Sequence, residues 1–263
     1  MKLDGSVAIV TGSATGVGAS CAQMLAEKGA RVVINYTRSE AEAHATAEAC
    51  RATGAEALVF RADVADDAAC REMVAAAVAK WGRLDLLVNN AAMTVSSDPF
   101  DLETLSAQDF QNVFGVNVVG LYQMCRAALP HLRESGQGAI VNVSSHVAFT
   151  GGGSSLAYTA SKGAVNALTK ALARTCAPEV RVNAVCPGLI DTRWMSRAMG
   201  DAAYTAFATE AAGKTPLGRI ATPEDIASAI LWLAEGANFV TGELISIDGG
   251  VQLMGARKPA GAA

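Results

Sequence analysis

Several things the sequence lacks narrow it before anything present is read. It has no excess of either charge: 21 Lys and Arg stand against 25 Asp and Glu, a net charge of −4. There is therefore no basic footprint for nucleic acid or for an anionic lipid surface. Its six cysteines, Cys21, Cys50, Cys70, Cys125, Cys176 and Cys186, form no CxxC pair and have no histidine partners nearby. Such scatter fits small core residues of a reducing compartment, not a disulfide framework or a metal site. No apolar run is long enough to span a membrane, and the start, Met1-Lys2-Leu3-Asp4-Gly5, has none of the features of a signal peptide. A cytoplasmic location is expected. Nor does any internal repeat or interdomain linker divide the 263 residues, a length that α/β folds commonly reach as one domain.

What is present points to a large core. Apolar residues make up 51% of the chain and charged ones 17%, which suits closely packed helices around a buried sheet. Val7-Ala8-Ile9-Val10 is an unbroken apolar run, the mark of a strand covered on both faces. It runs into Thr11-Gly12-Ser13-Ala14-Thr15-Gly16-Val17-Gly18, then a helical pattern that stops at Lys28-Gly29, then a second strand from Arg31 to Asn35. Together these make one βαβ unit. Glycines in such a turn let backbone N–H groups approach a pyrophosphate on the positive end of the helix, although glycine turns without a ligand are common.

The alternation continues. A helix is predicted over Ser39 to Ala52, with Ser39 and Glu42 spaced as a capping box. Strand Ala57 to Phe60, helix Asp67 to Trp81 and strand Leu84 to Val88 follow. One long helix is predicted from Ser106 to Arg133, disturbed near Pro130. Then come strand Ala139 to Val143, a helix over Ser154 to Arg174, strand Val180 to Val185, a helix opened by Thr222-Pro223, and strand Leu244 to Ile247. Strands alternating with helices from end to end predict a single-domain α/β fold, a doubly wound parallel Rossmann-like sheet with helices on both faces. The domain is expected to span 1–254, leaving 255–263 as a flexible tail.

The chemistry centres on the Ser154 helix. Tyr158 and Lys162 stand four residues apart, one turn along one face. A phenol normally titrates near about 10, and a cation within roughly 4–6 Å favours the phenolate. A tuned tyrosine can then exchange a proton with a substrate oxygen near neutral pH. Taken alone, such a pair is more often an ordinary helix surface. The glycine turn, Asn90, Ser145 and Pro187 all follow predicted strands, however, which gathers them at the carboxyl edge of the sheet, where open α/β folds bind ligands.

The order and spacing of Thr11-Gly12-x-x-x-Gly16-x-Gly18, Asn89-Asn90-Ala91, Asn117, Ser145, Tyr158-x-x-x-Lys162 and Pro187-Gly188-Leu189-Ile190-Asp191-Thr192 resemble the short-chain dehydrogenase/reductase family over nearly the whole chain. The resemblance implies an oxidoreductase that moves hydride between a nicotinamide cofactor and a carbonyl/alcohol pair. It implies that Tyr158 exchanges the proton with the substrate oxygen, that Lys162 lowers the tyrosine pKa and holds the nicotinamide ribose, and that Ser145 hydrogen-bonds the substrate oxygen. The spacing to Tyr158 favours Ser145 over its neighbour Ser144. By the same resemblance Asn117 holds a water that relays protons to the lysine. An asparagine inside a helix is unfavourable unless its side chain has a task, and a satisfied packing role stays open for it. Cofactor contacts are implied for Gly12, Ser13, Thr15, Gly16, Val17 and Gly18, for Asp63 and Val64 at the adenine, and for Asn90 and Ala91 at its ribose. Ile190 and Thr192 would hold the carboxamide, beside Pro187 and Gly188. Asp63 is also what a plain turn carries, and Ala92 stands where the family usually has glycine.

The end of the second strand decides which cofactor is expected. NAD-preferring relatives end it with an Asp or Glu that accepts from the ribose hydroxyls; here the segment is Asn35-Tyr36-Thr37-Arg38-Ser39. Arg38 can pair with a 2′-phosphate. Ser39 can add a hydroxyl and N–H groups at a helix start, a place where an N-cap role serves equally well. Glu40, Glu42 and the absence of a cation inside the glycine turn work the other way, so a moderate preference for NADP(H) over NAD(H) is expected. Residues 193–219 resemble a mobile substrate flap, with Trp194, Met195, Met199, Tyr204 and Phe207 suggesting an apolar pocket, although such residues are as often plain core. His146, next to Ser145, is a candidate substrate contact set against the commoner structural role of a lone histidine. Trp194 and Met195 are the other candidates.

A small free ketone or secondary alcohol is the expected substrate. The chain also resembles 3-oxoacyl-carrier-protein reductases, yet Gly136-Gln137-Gly138 and Ala177-Pro178-Glu179 lack the arginines such enzymes use to dock an acidic carrier. An NAD-dependent alcohol dehydrogenase is a further alternative. A non-catalytic nucleotide-sensing regulator is opposed by the filled catalytic set, and a sugar-nucleotide epimerase by the short sequence after the last strand. Ala157, Ala160, Ala164, Ala167 and Ala171 give the Tyr158 helix a face of small residues. The resemblance implies a homotetramer packed through it and the Ser106 helix, and packing against the sheet is the alternative use.

Overall fold

A computed structural model of the chain describes residues 1–98, 100–192 and 200–253. Seven strands form its centre: β1 (Val7–Val10), β2 (Arg31–Tyr36), β3 (Ala57–Arg61), β4 (Leu86–Asn89), β5 (Gly138–Val143), β6 (Val180–Pro187) and β7 (Leu244–Ile247). They make one sheet in the order β3-β2-β1-β4-β5-β6-β7, and each neighbouring pair is parallel. The α-helices among the described residues are α1 (Gly16–Glu27), α2 (Glu40–Ala52), α3 (Asp67–Trp81), α4 (Ala107–Phe114), α5 (Leu121–Glu134), α6 (Val147–Thr150), α7 (Leu156–Cys176), α8 (Asp201–Lys214) and α9 (Pro223–Glu235). This is the doubly wound, Rossmann-like arrangement that the alternating pattern predicts.

The two-residue period of the strands sorts the core into two layers. Ala8, Val10, Val32 and Ile34 pack with Leu25 of α1, Ala43 of α2 and Ile230 of α9. Val7, Ile9 and Val33 point the other way, onto Met73 of α3, Met124 of α5 and Val165 of α7. Burying each such large aliphatic side chain contributes roughly 1.5–3 kcal/mol. One polar device sits among them. Asp85, fully buried, accepts from the Val7 backbone N–H at 2.9 Å and is paired with Arg83 at 2.8 and 2.6 Å, which ties the entry of β4 to the start of β1.

Three local expectations are corrected. The long helix from Ser106 is interrupted not at Pro130, through which α5 runs to Glu134, but by a six-residue π-turn at Gly115–Gly120. Close packing accounts for the glycine that ends it: a Cβ on Gly120 would meet Val64 Cγ2 at 2.8 Å and the Val64 carbonyl at 2.9 Å. Ser39 precedes α2 as expected but makes no capping bond, whereas Ser106 and Thr222 both form complete capping boxes. The Tyr158 helix starts at Leu156, capped by the Ser155 side chain, which accepts from the Tyr158 N–H.

Strand order reverses between β1 and β4, and a crevice opens at their carboxyl ends, the usual ligand site of such sheets. No helix among the described residues is long and apolar enough to cross a membrane. Trp194, Met195 and Met199, and the tail 255–263, lie outside the described residues.

Candidate active site

The crevice is a cleft of about 1170 Å³ whose wall includes Gly12, Thr15, Gly16 and Val17 of the glycine turn, together with Asp63, Val64, Asn90 and Ala91. Gly12 and Gly16 have φ of 63° and 58°, which a side-chain-bearing residue rarely adopts. Gly18 has an ordinary φ but no room: a Cβ would stand 2.5 Å from the Gly12 carbonyl and 2.6 Å from Asn90 Nδ2. The first turn of α1 carries no acidic residue, and Thr15 makes no side-chain capping bond. The helix N-terminus thus has neither a capping side chain nor a carboxylate in its first turn, which leaves it able to receive an anion.

Side chains from elsewhere pin this turn. Ser13 Oγ donates to the Val10 carbonyl at 2.7 Å and accepts from Asn35 N at 2.9 Å. Asn35 Oδ1 accepts from Gly12 N at 2.9 Å, while its Nδ2 donates to the Ala62 carbonyl at 3.0 Å. Asn90 Nδ2 donates to the carbonyls of Thr11 at 2.9 Å and Gly12 at 3.1 Å. Ser13, expected as a cofactor contact, therefore holds the turn from behind, and neither it nor Gly18 is on the cleft wall. Ser39 is not on it either. Asn35 was not singled out from sequence, although an amide inside an apolar strand was a readable signal.

At the far end of the cleft, Thr37 and Arg38 follow β2, and Arg61 closes β3 in register with Tyr36. Arg38 and Arg61 are both exposed, and neither makes an ion pair among the described residues. Arg61 is a second cation that sequence reading missed, because only the strand pairing brings it beside β2. Asp63 accepts from Ala65 N at 2.9 Å in a local turn and still lines the cleft. Pro187, Gly188, Ile190 and Thr192 line the other end, as does Ala92.

Deeper in, α7 presents Tyr158 and Lys162. Lys162 is only 3% exposed, and its Nζ donates to the Val143 carbonyl at 2.8 Å. Burial pushes its ammonium down to about 8. The Ser145 hydroxyl favours the Tyr158 phenolate, yet burial outweighs it and pushes the phenol up to about 12. The expected lowering of the phenol by the lysine is therefore not what the structure shows. Nζ lies 5.5 Å from the ring centroid, and loss of water around the phenolate sets the direction of the shift. The serine hydroxyl that acts on the Tyr158 phenol is that of Ser145, whereas Ser144 Oγ donates to Asn166 Oδ1 at 2.6 Å.

Asn117, 2% exposed, is fully engaged. Its Oδ1 accepts from Met93 N at 2.8 Å, and Nδ2 donates to the Met93 carbonyl and to Ser161 Oγ, both at 3.0 Å. The side chain straps the loop after β4 to α7. Both amide hydrogens are committed, so the side chain has none left to donate to a relay water.

A second cavity, of about 630 Å³, adjoins the cleft, and Ser145, Tyr158, Gly188, Ile190 and Thr192 line both. Its wall is mainly apolar, with Val147, Leu189, Phe207, Leu217 and Ile220, and it includes His146. Of the aromatic and methionine residues of 193–219, Phe207 is on this wall. Tyr204 does not line the cavity; its hydroxyl donates to Asp191 Oδ1 at 2.7 Å.

A family model described as enoyl-(acyl-carrier-protein) reductase matches residues 12–252. A ketoacyl reductase of the granaticin polyketide synthase of Streptomyces violaceoruber is 43% identical over 248 residues, covering 94% of this chain and 96% of that one. The cis-4-hydroxycyclohexanecarboxylate dehydrogenase of Sinomonas cyclohexanicum is 39% identical over 246 residues, 93% of this chain and 95% of that one. A crystal structure described as a short-chain dehydrogenase/reductase of Burkholderia xenovorans superposes with a TM-score of 0.89 at 38% identity, covering 95% of this chain and 98% of that one.

Proposed function

The chain belongs to the short-chain dehydrogenase/reductase family, and on that premise we propose that it is an NADP(H)-dependent oxidoreductase acting on a ketone or secondary alcohol, with Tyr158 as the acid/base. The observation that carries this reading is the placement of Ser145 and Tyr158 together at the junction of the cleft and the apolar cavity. The cleft suits a nicotinamide dinucleotide: its glycine turn leaves no room for a Cβ at Gly18, and the α1 N-terminus faces no carboxylate of its own first turn.

When bound, the cofactor supplies or accepts the hydride. Tyr158, protonated across the neutral range, donates its proton to the carbonyl oxygen in reduction and recovers one from the alcohol in oxidation. Ser145 donates to the same oxygen and offsets its developing charge. Lys162 places a cation one helical turn away, where it would hold ribose hydroxyls. Asn117 is a positioning residue that fixes this turn of α7 through Ser161. Arg38 and Arg61 would hold a 2′-phosphate, and no carboxylate ends β2 to repel it. Residues 1–254 act as one catalytic domain in this reading.

Reduction of ketones by NADPH and NADH, followed at the nicotinamide absorbance, tests it. Tyr158→Phe should lose about 10²–10⁴ in kcat while Tm and cofactor affinity stay as in the wild type. Full turnover in that variant would overturn the mechanism. A carrier-bound 3-oxoacyl substrate is a second reading, favoured by the similarity to a polyketide ketoacyl reductase. An acetoacetyl thioester in the same assay separates the two.

For assembly we propose a homotetramer packed through α7 and the α4–α5 segment. Ala160, Ala167 and Ala171 of α7 are exposed, although Ala157 is buried within the chain. Light scattering at micromolar concentration that shows only a monomer would rule it out.

A further inference from the structure

Most polar side chains around the apolar cavity already have partners. Lys214 pairs with Glu210, and Arg219 with Asp225. Thr94 shares a hydrogen bond with Ser154, Thr215 Oγ1 donates to the Ala211 carbonyl, and the Asp248 carboxylate accepts from Gly250 N and Gln252 Nε2. His146 differs. Its Nδ1 lies 3.0 Å from the Pro187 carbonyl, which also accepts from the His146 backbone N–H at 2.9 Å. A carbonyl oxygen can only accept, so Nδ1 carries the proton, and the neutral ring leaves Nε2 as an acceptor. Two bonds from one residue to one oxygen fix the ring and its tautomer. Among the described residues Nε2 has no hydrogen-bond partner, and His146 lines the cavity beside Ser145 and Tyr158.

Resting on the reading that Ser145 and Tyr158 meet the carbonyl oxygen, we propose that His146 selects ketones that carry a hydrogen-bond donor, above all a hydroxyl, on a carbon next to the carbonyl. The two catalytic hydroxyls both donate, so they recognise the oxygen being reduced. The adjacent residue offers the complementary acceptor, and the rest of the molecule lies against Val147, Leu189, Phe207 and Leu217. A substrate without the donor displaces water from Nε2 and replaces it with nothing, which a site built around a hydrogen bond penalises strongly. In reduction the carbonyl carbon takes up hydride and its oxygen takes the Tyr158 proton. The neighbouring hydroxyl is neither oxidised nor reduced, so the product is a vicinal diol.

Three ketones test this on the full-length protein at pH 8 with each reduced cofactor: acetophenone, α-hydroxyacetophenone and α-methoxyacetophenone. The expected result is a kcat/KM for the hydroxyketone about 10–100-fold above both others. In His146→Leu the hydroxy-to-methoxy ratio should collapse to within about threefold, and His146→Gln, which keeps an acceptor, should retain more of it. Melting temperature confirms that each variant is folded; if the leucine variant is not, the wild-type ratios decide. Equal reduction of all three leaves the carbonyl-reductase reading standing and overturns the role of His146, as does a ratio that survives in His146→Leu. Equal preference for the hydroxy and methoxy ketones over acetophenone makes Nε2 a donor and overturns the acceptor assignment, because an ether cannot donate. Reduction of none of the three overturns the underlying reading and this inference together.

Discussion

Replacing Lys162 with methionine separates what the lysine costs the fold from what it does for the chemistry. The side chain is almost wholly buried, and burial lowers its ammonium from 10.5 to about 8. At roughly 1.4 kcal/mol per pH unit, keeping that charge folded at pH 7 costs about 3 kcal/mol. Against this, Nζ donates to the Val143 carbonyl at 2.8 Å. Leaving that buried acceptor unpaired costs roughly 1–3 kcal/mol. The methionine variant is therefore expected to match the wild type at pH 7 or exceed it by up to about 2 kcal/mol.

The pH dependence has a definite sign. The folded-state value lies below the unfolded one, so between about pH 8 and 10.5 the unfolded chain holds a proton that the folded chain has released. The penalty is full below that window and gone above it. Any advantage of the variant should consequently shrink by about 2 kcal/mol between pH 7 and 9.5, a Tm change of roughly 4–8 °C for a chain of this length. Thermal melts without cofactor at the two pH values measure it. Turnover measured alongside should be lost, since the cation beside Tyr158 is gone. A Tm difference that does not move with pH would refute the description of Lys162 as a desolvated cation.

Three other outcomes are expected. Arg38→Asp should reverse the cofactor order, costing about 10–100-fold in kcat/KM with NADPH, the worth of one charge-assisted bond; a wild type that prefers NADH would reduce Arg38 to a solvated surface charge. Gly18→Ala should weaken cofactor binding and lower Tm, because the new methyl meets the backbone at Gly12 and Ser13 as well as Asn90, and a fluorescence titration with NADPH that matches the wild type would contradict the close-packed turn. Asp85→Ala should lower Tm by roughly 5–15 °C, from about 2–4 kcal/mol lost with the Val7 bond and the Arg83 pair; a smaller fall would mean that water replaces the carboxylate.

Much of the fold could be read without coordinates. Runs such as Val7-Ala8-Ile9-Val10 mark strands buried on both faces, and the Lys28-Gly29 stop bounds the helix that follows, because both signals come from local backbone preference and hydrophobic burial. The i, i+4 spacing of Tyr158 and Lys162 places them on one helix face by helical geometry alone. What the tertiary structure decided are quantities set by residues distant in the chain. Asn35 locks the glycine turn, and Arg61 joins Arg38 on the cleft wall, only because β1, β2 and β3 pair in one particular register. Asn117 straps the loop after β4 to α7, a contact between segments that no local pattern links. Spacing predicts a lowered Tyr158 phenol where the structure raises it, because spacing reports the neighbouring charge and not the water that packing removes. His146 acquires a fixed tautomer from a carbonyl on the next strand, at Pro187. A hydrogen-bond partner that far along the chain is supplied by strand pairing, and sequence neighbours carry no trace of it.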